Sequence, residues 1–120
     1  AAAISDYIPN NYSNDKWDSN IEDRQITLFK STKIIEEIQS FIGGNVNQIG
    51  FKLTTGLSNE EAIDKGIELC TRLGLSGVIV NRLEDLLNGF KRTFVTNSNI
   101  LPILTNTELC HFIRKRLEGV

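Results

Sequence analysis

Polar residues stand at four places where apolar stretches of this chain end. They are Asp6 after "AAAI", the run "KST" after "ITLF", Lys52 in "GFKL" and Asn81 after "GVIV". In parallel α/β sheets, ligands bind beyond the carboxyl ends of the strands. Lysine side chains and the free N–H groups of a helix start both attract phosphate-like anions. The pattern therefore favours an anion-binding edge.

The run "KST" carries the clearest of these signals, because two lysines flank two hydroxyl side chains where a helix is predicted to start. The four residues are Lys30, Ser31, Thr32 and Lys33. Each candidate also has an ordinary structural explanation. A serine or threonine can simply cap its helix, and Asp6 can accept hydrogen bonds within a turn. The functional argument is the coincidence of these residues at one edge, not any one of them.

A further lysine, Lys16, lies in a segment rich in Asn, Ser and Asp that covers residues 10–24. This composition predicts an exposed, flexible flap. A lysine in such a segment is ordinarily a solvated surface charge. The neighbouring Trp17 is a candidate interface anchor, because tryptophan is enriched at binding hot spots.

The elements that must position these residues alternate along the chain. Apolar, β-branched runs predict strands over Ile26–Phe29 and in "QIGFKL", "GVIV" and "RTFVT". Helical patterns separate the first three of these, and a final helix follows the last. Such alternation predicts a single α/β domain over residues 1–120, with a mostly parallel sheet and flanking helices.

The three predicted helices have recognisable ends and apolar faces. The first stops at Gly43-Gly44, the second runs from a capping box at Ser58 and Glu61 to Gly74, and the third begins with Thr105 and Glu108. Gly119 closes the third helix. The predicted inward positions of the second helix are Ala62, Ile63, Gly66, Ile67, Cys70 and Leu73, and those of the third are Leu109, Phe112, Ile113 and Leu117.

Composition excludes several classes of function. The chain has 120 residues and a formal net charge of −2, which argues against non-specific binding to nucleic acid. Neither a membrane span nor a signal peptide is visible, so a cytoplasmic protein is expected. Cys70 and Cys110 are expected to be reduced thiols. The single histidine, His111, has no cysteine or histidine at metal-ligand spacing, so no protein-held metal is predicted.

Five segments occur in the order found in phosphopantothenate–cysteine ligases. They are "AAAISDY", a lysine ten positions after Asp6, "ITLFKSTKII", "IGFKL" and "GVIVNRL". On these motifs, nearly the whole chain resembles the carboxyl-terminal half of that family. The resemblance implies a nucleotide-dependent amide ligase of coenzyme A biosynthesis. CTP or ATP activates the phosphopantothenate carboxylate as an acyl-nucleotidylate, with Mg²⁺ assistance, and the cysteine amine then attacks.

The resemblance also implies roles for individual residues. Lys16 matches the flap lysine of the family and is the expected catalytic residue. A larger set matches the nucleotide-binding positions: Ala2, Ala3, Asp6, Lys30, Ser31, Thr32, Phe51 and Arg72. The match of Arg72 depends on the register through Asn81, with Leu69 and Leu73 as neighbours, and it leaves the choice between CTP and ATP open.

The family's amino-terminal half, with its glycine-rich turn and an Asn that handles the activated carboxylate, is not in this sequence. We therefore expect a Rossmann-like half-domain whose sheet is completed by another chain or by a missing segment. The resemblance further implies a homodimer in which the flap reaches across to the neighbouring subunit. A non-catalytic nucleotide-binding module, or a flavodoxin-like interaction module, remains an alternative.

Overall fold

A computed structural model of the chain describes residues 5–10, 15–31, 33–43, 46–89 and 91–118. The chain divides into two compact units, Ala1–Phe41 and Ile42–Val120. Five residues named in the sequence predictions lie outside the described ranges: Ala2, Ala3, Thr32, Gly44 and Gly119.

The first unit contains a two-stranded antiparallel ribbon and a helix. Strands β1 (Tyr7–Pro9) and β2 (Leu28–Lys30) pair so that Tyr7 lies opposite Lys30. The strand predicted from Ile26 thus begins two residues later. The bond from Asn10 N to Thr27 O, 2.7 Å, continues the ribbon beyond the paired residues. Helix α1 (Ile34–Ile42) forms where the apolar spacing predicted it, and none of its residues is buried.

The second unit is built on a four-stranded sheet in the order β3-β4-β5-β6. Its strands are β3 (Ile49–Thr54), β4 (Gly77–Arg82), β5 (Arg92–Val95) and β6 (Ile100–Ile103). The first pair is parallel, with Phe51 opposite Ile79, and the other two pairs are antiparallel. The predicted α/β class is confirmed, and the described sheet is mixed. Segment 83–91 is shorter than the roughly twelve residues that a parallel crossover requires, so β5 must return antiparallel to β4.

Helix α2 (Asn59–Leu73) covers one face of this sheet and has both predicted ends. The Ser58 hydroxyl accepts a bond from Glu61 N at 3.2 Å, and the Glu61 carboxylate accepts one from Ser58 N at 2.8 Å. Gly74 ends the helix in the left-handed conformation, at φ 60°. Gly66 packs so closely on β4 and β5 that a Cβ there would overlap Val80. The predicted capping box and the glycine stop are therefore confirmed.

Helix α4 (Asn106–Leu117) covers the other face and completes the core. The core cluster on this face consists of Ile79, Phe94, Ile103 and Leu109, with Ile49, Phe112 and Ile113 packed against it. The prediction that Leu117 faces inward is wrong, since this side chain is 48% exposed in the last turn. The predicted capping box is half correct, because the Glu108 carboxylate accepts from Leu104 N and not from Thr105 N.

Two elements of the second unit were not predicted. Strand β6 contains Pro102, which lacks an N–H, and proline is confined to edge strands such as this one. Helix α3 (Leu83–Leu87) has only five residues, too few for a helical repeat to be visible. None of the helices in the described ranges has the length and apolar character to cross a membrane.

Candidate functional site

In the first unit, Asp6 and the "KST" segment come together at one end of the ribbon. Ser31 N donates to Asp6 O at 2.8 Å, and the Ser31 hydroxyl donates to Ser5 O. The Asp6 carboxylate forms an ion pair with the Lys33 ammonium. Both side chains stay accessible, at 61% and 43% exposure, so this pair contributes little to stability. The carboxylate and the ammonium are therefore paired with each other while both remain accessible to solvent.

Lys30 occupies a different place from Lys33. It is the last residue of β2, opposite Tyr7, and it is exposed. Of the two lysines that flank the hydroxyl residues, Lys33 is the one that contacts Asp6. The sequence singled out the segment but not the lysine that makes the ion pair.

Lys16 is exposed within the described segment 15–27, which connects the polar loop to β2. Its neighbour Trp17 lies under the guanidinium of Arg24, whose Cζ is 4.5 Å from the ring centroid. Arg24 was not among the predicted residues. The only signal for it in the sequence is a cation seven positions after an aromatic residue in a polar segment, which is too common to be informative.

In the second unit, a cleft of about 180 Å³ lies between β3 and α2. Its lining residues are Lys52, Lys65, Glu68, Leu69 and Arg72. One carboxylate faces three cations, and it is 3.5 Å from the Lys65 ammonium. Arg72 was predicted to bind the nucleotide, whereas Lys65 was missed. The excess of positive charge makes this cleft suitable for an anion with several charges.

Lys52 was expected at the carboxyl end of its strand, and that placement is wrong. Strand β3 continues to Thr54, so Lys52 lies within the strand and borders the cleft beside α2. Successive side chains of a strand point to opposite faces. Phe51 therefore lies on the other face, where it is 46% exposed. The structure brings Lys52 and Arg72 together and does not place Phe51 in the same cleft.

The carboxyl end of the β3–β4 pair carries a network of polar side chains. The Glu84 carboxylate accepts from Gly56 N at 2.6 Å and from the Thr55 hydroxyl at 3.3 Å. The bond from Gly56 N is the largest cause of a lowered pKa of Glu84. The bond from Thr55 and the charge of Arg82 lower this pKa further. Arg82 donates to Leu57 O through Nε at 3.1 Å and Nη2 at 3.0 Å. Two charged residues thus fix the loop between β3 and α2.

Asn81 belongs to this network and lies inside β4, not after it as predicted. Its Oδ1 atom and the Oε2 atom of Glu84 are buried, and neither has a hydrogen-bond partner within the described ranges. Thr54 Oγ1 lies 3.5 Å from the backbone oxygen of Asn81. The donors Gly56 N, the Thr55 hydroxyl and the Arg82 guanidinium all bond to acceptors within this network, so it serves the loop more directly than it serves an anion.

The thiols have no role in these sites. Both cysteines are free, with Cys70 buried and Cys110 exposed. Burial raises the pKa of the Cys70 thiol, and its Sγ donates to Leu75 O at 3.3 Å. A neutral, buried thiol is a poor nucleophile. The described residues also contain no group of three His, Cys, Asp or Glu side chains that could hold a metal ion.

Comparison with known proteins relates this geometry to one family. The family model described as DNA/pantothenate metabolism flavoprotein C-terminal domain matches residues 1–115. The crystal structure of the DNA/pantothenate metabolism flavoprotein from Streptococcus pneumoniae is similar, with a TM-score of 0.81 and 20% sequence identity. This match covers 98% of the chain and 60% of the pneumococcal chain, and at this identity it confirms the Rossmann-like fold alone. No curated protein matches the chain.

Proposed function

Because the chain belongs to the family of DNA/pantothenate metabolism flavoprotein C-terminal domains, we propose that it is the nucleotide-binding half of a phosphopantothenate–cysteine ligase. In the first step, a carboxylate oxygen of phosphopantothenate attacks the α-phosphorus of CTP or ATP, and pyrophosphate leaves. In the second step, the cysteine nitrogen attacks the acyl carbon, the nucleoside monophosphate leaves, and the amine proton passes to solvent. The protein contributes positioning and charge stabilisation.

The observation that carries this proposal is the basic cleft between β3 and α2. Lys52, Lys65 and Arg72 surround a volume of about 180 Å³. Drug-sized ligand pockets are larger, on the order of 300–1,000 Å³, so this cleft suits the phosphates and not the whole nucleotide. A guanidinium can bind two phosphate oxygens at once, and a lysine neutralises a third as a point charge.

The first unit has proposed nucleotide contacts of its own, and these rest on the resemblance to the ligase family. A carboxylate such as Asp6 can accept a hydrogen bond from a ribose hydroxyl, as acidic residues do in dinucleotide sites. Lys33, which is ion-paired with Asp6, stands beside it as a donor for a phosphate oxygen. Lys16 is proposed to neutralise the charge that develops on the leaving pyrophosphate.

Magnesium accompanies the nucleotide in this proposal. Protein Mg²⁺ sites of this kind use one or two carboxylates together with substrate phosphates. The described residues offer no dedicated group of three acidic or histidine ligands. We therefore propose that the magnesium ion enters bound to the triphosphate.

A thermal-shift screen with CTP, ATP and FMN tests nucleotide binding, since a ligand that binds the folded state raises the melting temperature. We expect stabilisation by CTP or ATP. Lys52→Ala should reduce that shift, whereas Lys91→Ala, an exposed lysine that does not line the cleft, should leave it unchanged. Stabilisation by FMN and by neither nucleotide would support a flavodoxin-like interaction module instead.

Amide formation tests the catalytic part. We expect no product from the chain alone with nucleotide, cysteine and phosphopantothenate, and we expect product when the amino-terminal half of such a ligase is added. Turnover by the chain alone would contradict the need for a second half. Nucleotide binding without turnover in the presence of an active amino-terminal half would indicate a non-catalytic nucleotide-binding module.

We also propose that the chain assembles as a homodimer through the ribbon, with Trp17 as an anchor. Trp17 is 45% exposed, and tryptophan is enriched at protein interfaces. Sedimentation of the parent chain and of Trp17→Ala measures this assembly. A parent chain that is strictly monomeric at high concentration would contradict the proposed dimer.

A further inference from the structure

The polar segment that carries Lys16 contains one aromatic contact. The Arg24 guanidinium stacks on the Trp17 ring with 4.5 Å between Cζ and the ring centroid, well inside the roughly 6 Å range of a cation–π interaction. Trp17 is the only tryptophan in the chain. The contact joins two points of a segment that has no regular secondary structure between them.

Two hydrogen bonds lie close to the stack in the chain. One joins residues between Trp17 and Arg24, and the other joins residues outside them. Asn20 N donates to Asp18 Oδ1 at 2.9 Å, which forms a tight turn directly after Trp17. Asn10 N donates to Thr27 O at 2.7 Å, which closes the base of the ribbon. These bonds limit the positions that Trp17 can adopt relative to β2.

A concave space of about 190 Å³ lies beside the stack, lined by Trp17, Arg24, Gln25, Ile26 and Thr27. The indole therefore borders the irregular segment that leads into β2, although Trp17 is 45% exposed. Lys16 is the residue immediately before this fixed indole. Lys16 is exposed, and it is joined directly to the residue whose ring Arg24 contacts.

We propose that Arg24 is a positioning residue for Lys16 and acts through the Trp17 ring. This inference rests on the proposed function, in which Lys16 neutralises charge on the leaving pyrophosphate. A lysine side chain is long and flexible, so its catalytic value depends on a backbone that is already in place. Arg24 supplies that constraint without touching the substrate.

The first test is kinetic. In the ligase reconstituted with an amino-terminal half, Arg24→Ala should lower turnover at saturating nucleotide by about two- to fivefold, the factor expected for losing one exposed cation–π contact. Arg24→Lys should retain part of the effect, because an ammonium still interacts with the ring. Arg114→Ala, which removes an exposed arginine of α4, should change nothing.

A double-mutant cycle tests whether the effect passes through Lys16. Arg24→Ala should have no further effect in the Lys16→Ala background, because the group that it positions is then absent. A merely structural role would lower activity equally in both backgrounds. If the double variant instead loses turnover by the product of the two single-variant factors, the proposal is overturned.

Fluorescence of Trp17 gives a readout that does not depend on activity. Quenching by acrylamide should increase in Arg24→Ala and stay unchanged in Arg114→Ala. Unchanged quenching in Arg24→Ala would overturn the stack itself. If the parent chain binds no nucleotide and no amino-terminal half restores turnover, the proposed function fails, and the role of Arg24 fails with it. If the parent turns over normally and Arg24→Ala does not change turnover, only this inference is overturned.

Discussion

The two units of the chain differ in the burial of their apolar side chains. Among the described residues of the first unit none is buried, and Tyr7, Phe29 and Phe41 are each more than half exposed. In the second unit, Val78, Ile79 and Val95 are completely buried. The second unit therefore has a hydrophobic core, and the described part of the first unit does not.

This difference separates the stability of the protein from its proposed chemistry. Burial of apolar surface contributes about 25 cal/mol per Å², so the second unit carries most of the stabilisation. The first unit contains Lys16, Asp6 and Lys33, and it exposes apolar residues that normally mark an interaction surface. The proposed catalytic residue Lys16 therefore lies in the unit whose described part has no core, whereas the basic cleft lies in the unit that has one. Four predictions test this division.

The largest expected effect concerns the first unit. Lys16→Ala in the reconstituted ligase should reduce single-turnover formation of the acyl-nucleotidylate by about a hundred- to a thousandfold, or roughly 2.7–4 kcal/mol of barrier. Nucleotide affinity should change far less, because the charge that Lys16 neutralises develops mainly in the transition state. Lys16→Arg should rescue poorly, since a planar fork does not replace a compact ammonium.

Lys115→Ala provides the control for this change, as it removes an exposed lysine from α4 in the second unit. It should leave both steps unaffected. If the single-turnover rate of Lys16→Ala stays within about a factor of two of the parent rate at saturating nucleotide, Lys16 is a solvated surface lysine and not a catalytic residue.

The next effect tests whether the core of the second unit is closed. Cys110 is exposed, whereas Cys70 is buried and burial raises the pKa of its thiol. Because the thiolate is the reactive form, Cys70 should react with a disulfide reagent at pH 8 at least about a hundredfold more slowly than Cys110. Cys110→Ser should remove the fast phase only. Two equally fast thiols would show that the core around Cys70 opens readily.

A smaller effect tests the packing of α2 on the sheet. A Cβ at position 66 would overlap Val80 and would lie 3.0 Å from Val95 Cγ2. Gly66→Ala should therefore lower the free energy of unfolding by about 1–3 kcal/mol, even though alanine favours the helix. Urea denaturation measures it. Asp64→Ala, at an exposed position of the same helix, should stay within about 0.5 kcal/mol of the parent.

The smallest expected effect concerns the loop at the carboxyl end of β3. The bond from Gly56 N lowers the pKa of Glu84, so ionised Glu84 stabilises the fold above its ordinary pKa, about 4.3. That stabilisation is lost as the pH falls through the lowered value. Glu84→Gln should thus destabilise the protein at neutral pH, and the two stability curves should converge as the pH falls below the lowered pKa. Glu60→Gln is the matched control, and curves that run parallel at all pH values would exclude this role for Glu84.

Much of the second unit was predictable from sequence because its signals are local. The capping box of Ser58 and Glu61 and the stop at Gly74 act within one helical turn, so a single sequence contains all of the information. The wrong or missing predictions depend on distant neighbours. Leu117 fits the helical spacing of an inward residue, but the core beneath α4 ends before it.

The candidate site was predictable only in part, for the same reason. The sequence indicated Asp6 and the "KST" segment through their positions after apolar runs, and the fold placed Asp6 beside Ser31. The sequence did not indicate that Arg24 stacks on Trp17 or that Lys65 lines the basic cleft. Contacts between side chains from different elements leave no periodic trace in a chain.

Periodicity, caps and short motifs are properties of neighbouring residues, so the α/β class, helices α1, α2 and α4, and the family could all be predicted from the sequence. The charges that meet are set by the tertiary structure. Strand alternation turns Lys52 toward α2 and Phe51 away from it, and the antiparallel ribbon sets Asp6 against Ser31 across a long loop. Strand register and the packing of helices on sheets fix such encounters, and both depend on the whole chain and not on any segment of it.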